Sequence, residues 1–174
     1  MDPLVYLIIC CGFAGLFLAS ALKKILSFRA FQSILGSYQI LPKNFTTISS
    51  VIFVAAEFTL SALWIVASIR PIAAGGSSVL LIIYTFAIGI NLKRSRWYIS
   101  CGCGWNEQPL YWSIVVRNCI YIMIILSTLA PVFGRELYWI DFALGVLTLT
   151  VIVLLNRCAD TLIANNSNIA SLKR

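Results

Sequence analysis

Two cysteines one residue apart, Cys101 and Cys103, are the side chains of this sequence best suited to chemistry. A thiolate attacks a disulfide, or leaves one, at a rate set by its acidity and by its access to a partner sulfur. Gly102 between them and Gly104 after them give the backbone the freedom that a small disulfide ring requires. The pattern favours a thiol–disulfide exchange pair in an accessible loop over a structural disulfide or two idle thiols.

The other cysteines and the missing histidine narrow the alternatives. The chain has six cysteines and no histidine, so the pair alone supplies too few ligands for zinc or an iron–sulfur cluster. Cys10, Cys11 and Cys119 fall in apolar runs, where a free cysteine packs as a small apolar side chain. Cys158 is expected on the same side as the pair, and a resolving role for it is the weaker alternative. We therefore predict a redox pair and no metal site.

The amino-acid composition indicates which class of protein carries this cysteine pair. Of the 174 residues, 60% are hydrophobic and 11% are charged, which is more apolar surface than a soluble domain of this length buries. The net charge of +7 could indicate nucleic-acid binding, but the basic residues stand at the ends of apolar runs and share no amphipathic face. They are typical of membrane-interface anchors. The sequence predicts a membrane protein that binds the lipid bilayer and no nucleic acid.

Five apolar runs are each long enough to cross a hydrocarbon core of about 30 Å at about 1.5 Å per residue. They cover residues 4–22, 46–69, 72–92, 110–132 and 137–156. The first is expected to stay as a helix and not to be cleaved as a signal peptide, because no basic side chain precedes it. Residues 24–45 predict an interfacial half-helix and a turn. We expect an all-α, polytopic membrane bundle of about five transmembrane helices in a single domain, residues 1–174.

Two ionisable residues fall inside these runs, Glu57 and Arg117. Such groups are costly within hydrocarbon and face a partner or a polar cavity. If the spans alternate, they lie roughly 16 and 10 Å from the side that holds the cysteine loop, by helical rise. An ion pair between them could orient the helices. In the functional alternative, Arg117 favours the thiolate of the cysteine pair and Glu57 moves protons during exchange. Both alternatives stay open.

The order of several short motifs resembles the methylamine-utilisation MauE family, within the DoxX-like membrane proteins. The motifs are a lysine ending the first span, Lys24-Ile25-Leu26-Ser27-Phe28-Arg29-Ala30-Phe31, Tyr38, Leu41-Pro42, Glu57, Cys101-Gly102-Cys103 and Arg117-Asn118. The resemblance covers nearly the whole chain. It departs from the family after the second cysteine, where Gly104-Trp105 replaces the usual Phe-Gly and leaves substrate or partner detail undetermined.

The resemblance implies a function that composition does not show. It implies a multi-pass accessory protein of the bacterial inner (cytoplasmic) membrane, working with a thioredoxin-like protein of the MauD kind. Their client would be the disulfide-rich small (beta) subunit of methylamine dehydrogenase or a related amine dehydrogenase, whose maturation, processing or transport needs thiol–disulfide exchange. The alternatives are a quinone-linked membrane oxidoreductase subunit of the DoxX kind, with quinone as cofactor, and a membrane scaffold without redox chemistry.

The side of the membrane that carries the cysteine loop is left open by the sequence. Basic residues concentrate in the loops after the first and third spans and in the C-terminal tail, whereas the opposite side has Arg70 and Arg135. The positive-inside rule then predicts a cytoplasmic cysteine pair. Disulfide chemistry for a periplasmic enzyme requires the oxidising side. The two expectations conflict, and the direction of electron flow stays open with them.

Overall fold

The fold is given by a computed structural model that describes residues 1–40, 42, 45–95, 110–134, 136 and 138–172. All regular secondary structure in these ranges is helical, which confirms the predicted all-α fold. The helices are α1 (Pro3–Leu26), α2 (Phe28–Ser37), α3 (Thr46–Ile65), a short 3-10 turn (Ala67–Ile69), α4 (Arg70–Lys93), α5 (Trp112–Ser127) and α6 (Trp139–Leu172). Cys101 and Cys103 lie outside the described residues.

Four of the helices are long and apolar enough to cross a membrane: Pro3–Leu26, Thr46–Ile65, Arg70–Lys93 and Trp139–Ala159. The fifth apolar helix, α5, has 16 residues and is shorter than the run from which it was predicted. At about 1.5 Å per residue it is roughly 24 Å long, below the thickness of a typical hydrocarbon core. The chain is thus a multi-pass helical membrane protein with four long spans and one short apolar helix in its described part.

Local sequence signals set the ends of α1 and α6. Asp2 caps the start of α1, because its side chain accepts a hydrogen bond from the Leu4 amide at 2.8 Å and Pro3 fits the first helical turn. The last helix, α6, continues to Leu172, although the apolar run predicted a span to residue 156 and a polar tail. Residues 157–172 contain neither glycine nor proline, so nothing in the sequence stops the helix where the hydrophobicity ends.

An apolar core joins α1, α3, α4 and α5. Trp64 stacks on Phe13 with ring centroids 5.7 Å apart, and the edge of Tyr121 from α5 meets the same phenylalanine at 5.9 Å. The buried indole donates a hydrogen bond from Nε1 to Ser77 Oγ at 2.9 Å. This set of residues, which also includes Phe17, Leu60 and Ile125, is called the aromatic core below.

A second, smaller cluster lies where α2 meets α4 and α5. It buries Tyr38, Ile88, Leu110 and Ile114 together. Leu110 is the first described residue after the cysteine segment, and Ile88 belongs to the last turns of α4 before it. The half-helix predicted from residues 24–45 is present as α2, and both Phe31 on this helix and Tyr38 just after it are buried in the bundle. The connection after α1, the last turns of α4 and the start of α5 therefore lie at the same end of the bundle.

At the opposite end of the bundle, the N-terminus is hydrogen-bonded to the segment that follows α5. The Met1 amino group donates a hydrogen bond to the Pro131 carbonyl at 2.6 Å, and the Phe133 amide donates to the Met1 carbonyl at 3.0 Å. The chain then enters α6, which packs along α1, with Leu149 lying close to Gly12. Near the end of the apolar run, Tyr121 donates a hydrogen bond to Asn156 Oδ1 at 2.8 Å. α6 thus runs back toward the end of the bundle where α4 ends and α5 begins.

Candidate functional site

The most prominent polar site in the described residues is centred on Glu57, in the middle of α3. Its side chain is 1% exposed, and its oxygen Oε1 forms a salt bridge with Lys24 Nζ from α1. Lys24 is itself 2% exposed. Tyr84 from α4 donates a hydrogen bond to the same oxygen at 2.8 Å, and Ser20 from α1 donates to it at 3.1 Å. Three helices therefore meet at one carboxylate oxygen.

The lysine closes the arrangement into a ring of hydrogen bonds. Lys24 Nζ also donates to Tyr84 Oη at 3.0 Å, so the tyrosine hydroxyl accepts from the lysine and donates to Glu57. The ammonium nitrogen lies 4.7 Å from the centroid of the Tyr84 ring and 5.0 Å from that of Phe31 on α2. Both distances are within the range of cation–π attraction. We call Ser20, Lys24, Glu57 and Tyr84 the polar cluster, with Phe31 as its cover.

The two oxygens of Glu57 have different surroundings. Oε1 accepts from Lys24, Tyr84 and Ser20. Oε2 is buried and has no hydrogen-bond partner in the part of the chain that the structure describes. A carboxylate oxygen without a donor, shielded from water, costs free energy. The site therefore has one saturated and one open acceptor.

Lys24 is the residue that sequence reasoning missed. It was expected to anchor the end of the first span at the membrane interface, but α1 continues to Leu26 and Lys24 turns inward. A signal for this was present, because the buried residues of α1 are Cys10, Phe13, Phe17, Ala21 and Lys24. Their spacing of three or four residues defines one helix face. The face that packs the aromatic core thus carries the lysine to Glu57.

The structure gives Glu57 a different cation from the one expected. The sequence offered an ion pair with Arg117 as one of two alternatives, whereas the salt bridge that the structure shows for Glu57 is with Lys24. The expectation rested on depth along the helices alone, and depth does not determine which helix faces meet. Arg117 is half-buried on α5, beside the buried Asn118. Its role beside the cysteine pair stays a prediction, since Cys101 and Cys103 lie in the part of the chain that is not described.

The other cysteines are placed on helices. Cys10 is buried in the aromatic core, which agrees with a packing role. Cys11 and Cys119 are exposed on the apolar surfaces of α1 and α5. Cys158 is exposed on α6, just beyond the predicted apolar run. Its placement on the same side as the cysteine pair stays a prediction, because Cys101 and Cys103 lie outside the described residues.

Comparison with known proteins gives the family. The family model described as methylamine utilisation protein MauE matches residues 2–131. This chain belongs to the MauE family. The match runs from the start of α1 to the end of α5 and includes both the polar cluster and the cysteine pair of this MauE protein. It ends before α6 begins.

Curated relatives agree with this assignment. A protein named methylamine utilization protein MauE from Paracoccus denitrificans is 27% identical over 129 residues, which is 73% of this chain and 69% of the relative. A protein of the same name from Paracoccus versutus is 28% identical over 165 residues, 92% of this chain and 88% of the relative. A third, from Methylophilus methylotrophus, is 28% identical over 102 residues, covering 59% and 54%. No solved structure matches this MauE protein.

Proposed function

We propose that this protein is an inner-membrane accessory factor of methylamine utilisation that exchanges disulfides through Cys101 and Cys103. Family membership supports the metabolic context, because the family and the relatives are named for methylamine utilisation. The observation that carries the chemistry is the Cys-Gly-Cys sequence between α4 and α5, within the matched region. The client proposed from the family resemblance is the disulfide-rich small subunit of methylamine dehydrogenase or a related amine dehydrogenase.

The proposed reaction is an exchange of one disulfide for another. In one direction, a thiolate of the pair attacks a partner disulfide, and a mixed disulfide forms as a partner thiolate leaves. The second thiol of the pair then displaces the partner, so the pair is oxidised and the partner is reduced by two electrons and two protons. The reverse sequence oxidises the partner. A thioredoxin-like protein of the MauD kind is the proposed second partner, and it would renew the pair by the same chemistry.

Packed helices hold both described flanks of the segment that contains the cysteine pair. α4 ends at Lys93, and after the segment Leu110 is fully buried against Tyr38, Ile88 and Ile114. Both flanks are therefore tied to packed helices at one end of the molecule. Functional loops are commonly held by rigid elements in this way. The arrangement supports a cysteine pair that is presented at the membrane surface to other proteins.

The test is client oxidation in cells that lack the native gene and express single variants. We expect Cys101→Ser and Cys103→Ser each to abolish correct disulfide formation in the amine dehydrogenase small subunit while the protein still inserts. Thiol alkylation followed by gel electrophoresis measures the client, and one of the two variants should accumulate a mixed disulfide. Cys119→Ser is the matched control, because this cysteine is exposed on the apolar surface of α5. Normal client oxidation in both loop variants would reject the redox function and leave a scaffold.

The same cells can be used to measure on which side of the membrane the cysteine pair lies. A membrane-impermeant thiol reagent applied to intact cells should label Cys103 if the pair faces the periplasm. Labelling only after the membrane is permeabilised would place the pair in the cytoplasm and require that electrons enter the exchange from there.

A further inference from the structure

Glu57 Oε2 needs a hydrogen-bond donor that the described residues do not supply. Oε1 is saturated by the ammonium of Lys24 and the hydroxyls of Tyr84 and Ser20, while Oε2 is buried without a partner among the described residues. An ionised carboxylate accepts hydrogen bonds on both oxygens and donates none. Whatever satisfies Oε2 must therefore bring an N–H or O–H group. The carboxylate is held in place by helices α1 and α4, so this acceptor is preformed.

The charge of the cluster restricts that donor further. Lys24 and Glu57 are both almost fully buried, and their charges cancel. A cationic donor would leave a net positive charge in a medium of low dielectric constant, which is strongly unfavourable. A neutral donor keeps the cluster balanced. The requirement is therefore a small neutral group that carries a hydrogen on oxygen or nitrogen.

The position of the site limits where such a group can come from. Glu57 is the twelfth residue of the 20-residue α3, roughly 16 Å from the start of that helix by helical rise. Aromatic side chains surround the cluster: Phe31 and Tyr84 flank the ammonium, and Phe53 lies 5.4 Å from the Tyr84 ring. Two sources fit these surroundings. A buried water satisfies otherwise unpartnered polar groups in many proteins, and a hydroquinone combines hydroxyl donors with an aromatic ring that packs on other rings.

We propose that Glu57 Oε2 is the acceptor of a binding site for a neutral hydroxyl group, supplied by a buried water or by a membrane-soluble hydroquinone. This proposal does not depend on disulfide exchange by the cysteine pair. Ser20, Lys24 and Tyr84 are positioning residues, because they hold the carboxylate through Oε1. Glu57 is the residue that contacts the ligand.

The first experiment uses the full-length protein in lipid nanodiscs with decyl hydroquinone and the corresponding oxidised quinone as probes. If the hydroxyl comes from the hydroquinone, the reduced probe should raise Tm in a saturable way, by about 5–10 °C at a hundredfold excess over Kd. The oxidised probe has no O–H group and should have a much smaller effect. Cys119→Ser is the control, because this cysteine is exposed on α5, a helix that contributes no residue to the polar cluster.

The paired variant Lys24→Met/Glu57→Leu separates binding from folding. It removes both charges together, so no buried ion is left without a counter-ion, and it should still form the bundle. A circular dichroism spectrum with unchanged helix content checks this. The variant should lose the response to decyl hydroquinone. A response of unchanged size would place the hydroquinone elsewhere and overturn its assignment to Glu57.

The second measurement looks for water. A high-resolution crystal structure of the protein without added quinone should show a density signal for a water within hydrogen-bonding distance of Glu57 Oε2 if a water donates to that oxygen. That signal with no response to decyl hydroquinone assigns the site to water, and a hydroquinone response assigns it to the lipid-soluble ligand. Neither signal, with the bundle intact, would overturn the proposed site.

Discussion

The interior of this bundle has an aromatic half and a polar half, and both lie along one face of α1. Phe13 and Phe17 lead the aromatic core, and Lys24 continues the same face into the polar cluster. Burial does not distinguish the halves, since Trp64 and Glu57 are both 1% exposed. The two halves differ in how the stabilising free energy of one residue depends on its neighbours. Apolar contacts add up atom by atom, whereas the free energy of an ion pair is a balance between attraction and the desolvation of both charges.

Because of this difference, the effect of substituting one buried residue depends on a second residue in the polar half more than in the aromatic half. Truncating Trp64 removes apolar contacts, and no second substitution nearby replaces the lost ring volume. Removing the charge of Glu57 leaves Lys24 as a buried ion, and a second substitution at Lys24 can relieve that cost. We therefore expect a second substitution to restore most of the lost stability in the polar half, and at most part of it in the aromatic half.

The largest expected effect comes from breaking the ion pair on one side. Glu57→Leu should destabilise the protein by about 3–5 kcal/mol, because the Lys24 ammonium is left in the bundle without its counter-ion. Adding Lys24→Met should recover most of this loss. The midpoint of SDS-induced unfolding in mixed micelles, followed by circular dichroism, measures both variants. If the double variant is as unstable as Glu57→Leu, the two residues are not coupled and the comparison between the two halves fails.

An intermediate effect is expected from the aromatic core. Trp64→Phe should cost about 1–3 kcal/mol, because it removes ring contacts with Phe13 and leaves Ser77 Oγ without the indole donor. The same unfolding assay measures it. Adding Ser77→Ala should recover only the hydrogen-bonding part, since the lost ring volume is not replaced. Full recovery in this double variant would show that the aromatic half is as strongly coupled as the polar half.

The sequence predicted the helical spans well because a bilayer imposes a simple requirement of length and apolarity. It also identified Glu57, since a carboxylate within an apolar run needs a partner. It did not identify that partner, because the choice between Lys24 and Arg117 depends on which helix faces approach, and hydropathy does not encode this. The lysine was assigned to the interface because it stands at the end of an apolar run. Helical periodicity contained the better signal, as its spacing from Phe17 and Ala21 shows.

Helix ends were harder to predict than helix existence. The apolar run predicted α5 over residues 110–132, but the helix covers Trp112–Ser127, and a turn at Thr128 begins before Pro131. Hydrophobicity marks what lipid or the core can cover, whereas hydrogen bonding and proline determine where a helix stops. Ser20 and Tyr84 were not predicted as site residues because serine and tyrosine are common in membrane helices. Only the meeting of α1, α3 and α4 gives these two residues their role.

The smallest expected effect tests how closely the apolar helices approach. A Cβ added at Gly76 would lie 2.8 Å from Leu60 Cδ2, whereas one at the neighbouring Gly75 would meet nothing within 4 Å. Gly76→Ala should therefore cost about 1 kcal/mol, because the leucine tip must move and the gain in helix propensity offsets only part of the strain. Gly75→Ala gains the same propensity without the contact and should be neutral or slightly stabilising in the SDS assay. Equal effects at both positions would mean that the packing of α3 on α4 tolerates an added methyl group, and that the aromatic half is less tightly fitted than its burial suggests.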